Sequence, residues 1–579
     1  MASHNLVLRN YQNEAVDSIF QFFESHGGTD PKTSLPIKAN PIVAMQTGLG
    51  KSVVLAEFFK RALEYYPKTR GIMATHVSEL IKQNYSKIKQ IWPNAPIGIY
   101  SAGLNKSENF QPIVYGGIRS MVGKYPLFGY RDFCIIDECH LVSPDAEASY
   151  VKFIWELAYG EYVKPGFAPT QEQFQKALQN PNCNPYLKVI GLSATPFRQG
   201  LGMLTNGSIF THFCYNSCTI KGWSQMLAEG YLAPLYPRPT RTTLDVSGIK
   251  VTNGEFNQAE LQAKIDKKDI NQRCLFELLE HAQDRKCGLI FASGIEHAEH
   301  LNELMNGMFN QESVVIHSGN KEYPRTKLEN DKALNLWKKG EVKWAVNVNA
   351  LTTGVDKPEL DIIGMLRPTL SSSLWVQMLG RGTRPAPDKK SCLVLDFAGN
   401  TPRIGPVDDP RIPKQKSGND GEMPVKICQA CGTYNHARAT ECLACGEPFP
   451  VNQKLTSTAS TSALLRSEMP IVEAFEVKYV VYSPYVTKSQ SRNMIKIAYY
   501  CERLMTFFEF VTVESKIPGG KVDYAVKRGR DWFRQRYPGE PPLLNSVVLD
   551  NSHLLRMPAK INVWTNKQYP EVLSADFGV

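Results

Sequence analysis

The stretch MQTGLGKS, residues 45–52, follows the apolar run PIVA and precedes the helix-prone VVLAEFFKRALEYY. Glycines at 48 and 50 let successive backbone N–H groups turn toward one anion, and a helix beginning there adds the positive end of its dipole. The pattern predicts a cradle for the phosphates of ATP, built by Thr47, Gly48 and Gly50. Lys51 would reach the β- and γ-phosphates and Ser52 would ligate Mg2+. Met45 stands where the pattern has its first glycine.

A second stretch, CIIDECH at 134–140, places Asp137 and Glu138 at the end of a short apolar run. Alone, two acids there could be the solvated end of a buried strand. With a phosphate cradle elsewhere in the chain, they read as its partners. Asp137 is expected to hold Mg2+, and Glu138 to orient and deprotonate the attacking water. His140 reads as a coupling residue, since no second metal ligand sits at its spacing.

The third chemistry-bearing stretch is CQACGTYNHARATECLAC, residues 428–445. Its Cys428, Cys431, Cys442 and Cys445 form two C-x2-C pairs, and four thiolates so spaced predict a closed tetrahedral Zn2+ site. His436 lies between the pairs and is surplus. So short a segment needs a metal staple to fold. Its chemistry leaves open whether it contacts DNA, protein or neither.

These residues need elements to hold them. Residues 1–225 alternate short apolar strands (PIVAM, GIMATH, PIVYGG, FCIID, KVIGLSAT) with helical stretches, the pattern of a parallel α/β sheet. A second such series occupies 226–405, with CGLIFAS, SVVIHSG, WAVNVNAL, LDIIGML and SCLVLDFAG. Residues 406–425, rich in Pro, Gly and charge, read as a linker, and the cysteine segment at 426–450 follows. A second linker, 451–470, contains KLTSTASTSA. The end of the chain, 471–579, mixes strand-like runs with a basic helix near 521–537. There Lys527, Arg528, Arg530, Arg534 and Arg536 interleave with Tyr524, Trp532, Phe533 and Tyr537. One reading is an amphipathic helix capping a small domain, with the aromatic residues packed; the other is a phosphate-contacting basic face.

At 579 residues the chain exceeds one core, and 42% hydrophobic with 21% charged residues describes an ordinary soluble protein. No apolar run approaches the ~20 residues that span a bilayer, and the N-terminus shows no export signal. A cytoplasmic protein with no membrane partner is expected. Thirteen cysteines in such a chain argue against a disulfide framework. The net charge is +10, and from 411 onward there are 22 Lys/Arg against 16 Asp/Glu, consistent with a polyanionic partner.

Further segments resemble superfamily two helicases. LRNYQNEAV (8–16) is similar to their adenine-reading segment, which implies Gln12 at the adenine edge with Arg9 nearby. SATPFR (193–198) resembles their third motif, LTTGVDKP (351–358) the fifth and QMLGRGTR (377–384) the sixth. The resemblance implies Gly354 and Asp356 at the nucleotide and Gln377, Arg381 and Arg384 in catalysis. The two arginines would come from the second domain to the γ-phosphate, an effect on rate of about 10³–10⁵. ATHVSEL, DECH, GLSATPFR, GYLAP, VNVNALTTGVDKPELD, LRPT and VLDFAGN closely resemble the bacterial RadD (YejH) DNA-repair helicases, within a wider branch-migration group that includes phage UvsW. The implied fold class is α/β: two tandem RecA-like P-loop domains, then a small four-cysteine zinc element and a small α+β C-terminal domain. The implied function is a DNA-dependent ATPase that remodels branched DNA in recombination, repair or replication restart. Single-stranded and branched DNA are its expected partners, and recombination or single-strand-binding proteins are candidates. An RNA helicase, or a zinc-bearing ATPase switch without strand separation, are the alternatives. One departure from the group is extra length at 146–188, which reads either as a DNA-contacting insertion or as a surface elaboration.

Overall fold

The computed structural model describes residues 8–578 except 31–33, 38, 143–148, 161–168, 199–201, 207–208, 239, 253, 350–355, 411–424, 429, 431–433, 437–440, 443–445, 450–469, 488–491, 503–504, 516–523 and 568. The chain divides into two compact units, Met1–Trp223 with Tyr231–Glu468, and Ser224–Gly230 with Met469–Val579.

The first unit holds two α/β sheets. One has eight strands in the order His212–Asn216, Pro41–Ala44, Lys188–Ser193, Phe133–Asp137, Gly71–Thr75, Ile113–Gly117, Ile97–Ser101 and Lys106–Ser107. All its pairings are parallel except the last. Pro41–Ala44, Gly71–Thr75 and Phe133–Asp137 are buried at every position, so each reads as a continuous apolar run rather than an alternating one. The other sheet has six parallel strands, ordered Leu235–Arg238, Cys392–Asp396, Ile362–Leu366, Gly288–Ala292, Trp344–Asn347 and Ser313–Ile316. Every strand expected from the sequence in these two series is present. The expected boundary at 225 instead falls inside the helix Ile220–Ala228, because the second sheet begins only at Leu235.

Part of the region 146–188 is not the surface elaboration expected of it. The helix Ser149–Tyr159 is part of the core of the first α/β domain, with Val151, Phe153 and Leu157 buried among Phe128, Ile136 and Val189. Glu156 on it accepts a hydrogen bond from the Gly123 backbone (2.8 Å). The following helix Gln171–Gln179 buries only Phe174 and Ala177, as a surface elaboration would.

The second unit is a five-stranded antiparallel sheet, ordered Thr506–Val511, Asn493–Cys501, Val472–Val486, Lys560–Trp564 and Glu571–Asp576. The helix Tyr524–Arg536 covers one face, burying Trp532 and Phe533 against Ile497, Tyr499 and Val513. Trp532 and Phe533 therefore pack as the capping-helix reading expects, whereas Tyr537 is exposed and the Tyr524 side chain lies outside the described residues. Arg536 does not belong to the basic face: it is 1% exposed and donates to the Trp532 carbonyl (3.1 Å) and the Tyr499 hydroxyl (2.8 Å). Arg534 is exposed and paired with Asp531 and Glu540.

Within the cysteine segment, Cys428 and Cys442 are buried together with Phe449, while Cys431 and Cys445 lie outside the described residues. Among the described residues no group of three or more His, Cys, Asp or Glu side chains could hold a metal ion. Among them, too, no helix is long and apolar enough to cross a membrane.

Candidate active site

The site forms where the parallel strands of the first sheet end. Pro41–Ala44, Lys188–Ser193 and Phe133–Asp137 are consecutive neighbours, so the loops leaving their carboxyl ends converge although they are far apart in sequence. The first loop is the phosphate cradle. Gly48 and Gly50 have φ of +92° and +84°, the left-handed region that favours glycine, and the helix Lys51–Tyr65 starts immediately after them. The Gln12 amide and the Tyr11 hydroxyl donate to the Leu49 carbonyl at 2.9 and 3.0 Å, fixing the loop to the first helix. Arg9 lies over the Tyr231 ring at 4.9 Å.

Asp137 ends its strand buried, and burial, with the Glu138 charge added, pushes its carboxyl above the usual carboxylate range. A buried acid so placed is one that a cation would stabilise in its charged form. Asn84, on the helix Ser78–Ile91, connects the two expected Mg2+ ligands. Its amide donates to Asp137 Oδ2 (2.8 Å) and its carbonyl oxygen accepts from Ser52 Oγ. The donor set of one hydroxyl and one carboxylate oxygen suits Mg2+, which takes few protein ligands. Asn84 escaped the sequence reading because LIKQN carries only a helical pattern; the available signal was a polar residue on the buried face of that helix. Replacing Asn84 by Ala is expected to raise the Mg2+ concentration for half-maximal ATP turnover by about tenfold or more, as lost support of a metal ligand does. A Mg2+ titration of steady-state turnover measures it.

Glu138 follows with φ of +53°, a conformation that costs a non-glycine residue energy and aims its side chain off the strand direction. His140 lies 3.4 Å from Glu138 Oε2 through Nδ1. Its Nδ1 is also 3.0 Å from Ser193 Oγ, and its Nε2 is 3.1 Å from Gln377 Nε2. Burial, with Lys51 adding to it, lowers the imidazole to about 3, so it is neutral near pH 7. The Gln377 amide nitrogen can only donate, which leaves the His140 proton on Nδ1, facing Ser193. Ser193 Oγ donates in turn to the Thr195 carbonyl (2.9 Å), and Arg198 Nε reaches the His140 carbonyl (3.3 Å). One neutral histidine thus joins DECH, SATPFR and QMLGRGTR through directed hydrogen bonds.

The second α/β domain closes the site. A Cβ added at Gly380 would lie 2.7 Å from Thr47 Cβ, and one at Gly48 would lie 3.0 Å from Arg384 Cγ, so the loop carrying the arginines rests on the phosphate cradle. Arg384 pairs with Asp356 at 2.6 Å. Arg381 is 8% exposed, and burial, with Arg384 adding to it, lowers its guanidinium to about 9; Glu138 acts in the opposite direction. The structure therefore brings together Thr47, Gly48, Gly50, Lys51, Ser52, Asp137, Glu138, Gln377, Arg381 and Arg384, with Gln12 against the cradle. Gly354 lies outside the described residues.

Two family models match this framework. Residues 5–198 match the type III restriction enzyme res subunit, and 270–386 match the helicase conserved C-terminal domain. The protein of Saccharomyces cerevisiae named as the ATP-dependent helicase IRC3 is 25% identical over 417 residues, covering 70% of this chain and 53% of that protein. The mitochondrial ATP-dependent helicase irc3 named in Schizosaccharomyces pombe is 24% identical, covering 70% of this chain and 60% of its own length. The chain thus spans little more than half of these relatives. Among solved structures, a fragment of an HsdR subunit of a type I restriction enzyme from Vibrio vulnificus has a TM-score of 0.47 at 20% identity, covering 68% of this chain and 65% of that one. Two helicase domain models thus match in chain order, with the phosphate cradle in the first matched region and the arginine loop in the second, the arrangement of an ATP-hydrolysing helicase motor.

Proposed function

We propose that this chain is an ATP-driven motor that moves on DNA and remodels branched DNA during recombination, repair or replication restart. The observation that carries the reading is the composite site, in which a loop of the second α/β domain rests on the phosphate cradle of the first. A site split in this way is complete only when the two domains approach, so ATP binding and hydrolysis become domain closure and opening. Lys51 holds the β- and γ-phosphates, with Thr47, Gly48 and Gly50 supplying the cradle, and Gln12 and Arg9 read the adenine. Ser52 and Asp137 hold Mg2+, which when bound neutralises charge on the phosphates. Glu138 takes the proton of the attacking water, and Arg381 and Arg384 stabilise charge on the transferred phosphoryl group. Asp356 orients Arg384, and Gly354, two positions before it in the sequence, is assigned to the nucleotide with it. Gln377, through His140, couples that chemistry to Ser193 and the third motif.

DNA as the track is supported by the resemblance to RadD-type helicases across the motor. Single-stranded and branched DNA are the proposed ligands, with recombination or single-strand-binding proteins as partners and the cytoplasm as the location. The test is ATP-dependent separation of a labelled forked duplex, compared with linear duplex. Unwinding of the fork is expected, and ATP turnover without any strand separation or movement on DNA would overturn the proposal.

We also propose one Zn2+ per chain on Cys428, Cys431, Cys442 and Cys445. The described pair supports it, since Cys428 and Cys442, one from each C-x2-C pair, are buried in one cluster. Metal analysis of the purified chain is expected to find one zinc. Cys442→Ser should lower that value and leave nucleotide binding by the motor unchanged. Zinc retained at full stoichiometry after Cys428 and Cys442 are both replaced would contradict the assignment.

A further inference from the structure

The five-stranded sheet of the second unit has two faces, and side chains alternate between them along each strand. One face is the core already described: Ile495, Ile497, Tyr499, Phe507 and Val511 are buried under the helix Tyr524–Arg536 and its neighbours. The register of the three strands Val472–Val486, Asn493–Cys501 and Thr506–Val511 fixes what points the other way. It aligns Tyr479 with Tyr500 and Thr506, Val481 with Ala498 and Phe508, and Ser483 with Lys496 and Phe510. Tyr485 extends the same face beside Met494.

This outward face is rich in rings. Tyr479, Phe508 and Phe510 are 53%, 43% and 42% exposed. Tyr479 and Tyr500 stack at 4.4 Å with an interplanar angle of 15°, and Tyr485 lies 4.6 Å from Phe510. Lys496 sits among them, its Nζ 4.2 Å from the centroid of Phe508. Ile495, Ile497 and Val511 point inward instead, and Val481, 43% exposed, is the branched aliphatic residue on the outward face of these strands.

An exposed apolar face could be covered by protein, but the core of a protein interface is depleted of lysine, and here a lysine occupies the middle. Rings flanking a cation are what a single strand of nucleic acid requires. Every base has a π-face to stack on a ring, and each phosphate needs neutralising. The charge is complementary as well, since residues 469–579 carry 15 Lys/Arg against 11 Asp/Glu. We propose that this sheet face is a stacking platform for single-stranded DNA, on which Tyr479, Tyr500, Phe508 and Phe510 take bases and Lys496 takes a phosphate. The proposal rests on the reading of the chain as a DNA motor and adds to it a second contact with the strand, outside the motor.

The test uses the full chain and two fluorescently labelled probes, a dT oligonucleotide and an abasic strand of the same length. Both carry the phosphates, but only the first carries bases. The unmodified chain is expected to prefer the dT strand by about tenfold or more, the scale of one stacked base. Combining Tyr479→Ala, Phe508→Ala and Phe510→Ala should abolish that preference and leave binding of the abasic strand unchanged. Combining Tyr479→Phe, Phe508→Tyr and Phe510→Tyr keeps the rings and should keep the preference. Lys496→Gln should weaken both probes and reduce the salt dependence by about one released counterion. ATP turnover without nucleic acid should be the same in all variants. If the ring-deleted chain still prefers dT, or the ring-retaining chain loses the preference equally, the platform is wrong while the motor reading stands. If the unmodified chain binds neither DNA nor RNA, the motor reading itself fails.

Discussion

Arg381→Ala is expected to reduce ATP turnover by about 10³-fold or more while leaving nucleotide affinity within a few-fold. The guanidinium is buried on a loop that rests on the phosphate cradle, and burial lowers it to about 9, so the fold keeps a cation where water screens it little. A charge held that way is strongest against the negative charge that spreads over the phosphoryl oxygens in the transition state. Arg381→Lys should not restore the rate, because an ammonium cannot reproduce the planar, two-pronged donor set. Steady-state turnover together with titration of a fluorescent ATP analogue separates the two effects. Turnover close to that of the unmodified enzyme would remove Arg381 from the chemistry.

Glu138→Gln should lower turnover by about 10²–10⁴, the range associated with loss of a positioned general base. Gln has nearly the shape of Glu, so the left-handed backbone at 138 and the proximity of His140 should survive the change. ATP should still bind, and the enzyme should accumulate in a closed, DNA-bound form that the hydrolysing enzyme only passes through. Lys51→Ala should lose turnover by the other route, through weakened nucleotide binding. Wild-type-like hydrolysis by the Glu138 variant would mean that another group accepts the proton of water.

Much of this site is legible in the sequence, for a physical reason. A phosphate cradle needs glycines with positive φ beside a lysine and a hydroxyl, and a water-activating pair needs acids at the end of an apolar strand. Both leave local patterns. What stayed hidden depends on partners far away in sequence. Asn84 became visible only when helix packing set it between Ser52 and Asp137. The link from His140 to Gln377 spans 237 positions and needs two domains in contact. Arg536 looked like its basic neighbours, yet its position on the last turn of the helix turns it into the sheet beneath, where Tyr499 and Glu509 receive it. The helix Ser149–Tyr159 looked like added length because a strongly apolar helix carries no chemical motif, although packing makes it part of a core. The aromatic sheet face was equally silent, since the runs FEVKYVVYS, MIKIAYYCE and FFEFVTVE show which residues alternate but not which side a helix will cover.

On the proposed function, ATP hydrolysis at this composite site is tied to DNA. The deciding measurement is the ATP turnover rate with no nucleic acid and with single-stranded, duplex, forked and RNA cofactors at equal nucleotide concentration. A low basal rate, strong stimulation by single-stranded and forked DNA, and weaker stimulation by RNA are expected. A rate that no DNA changes, or that RNA raises more than any DNA does, would contradict the proposed function.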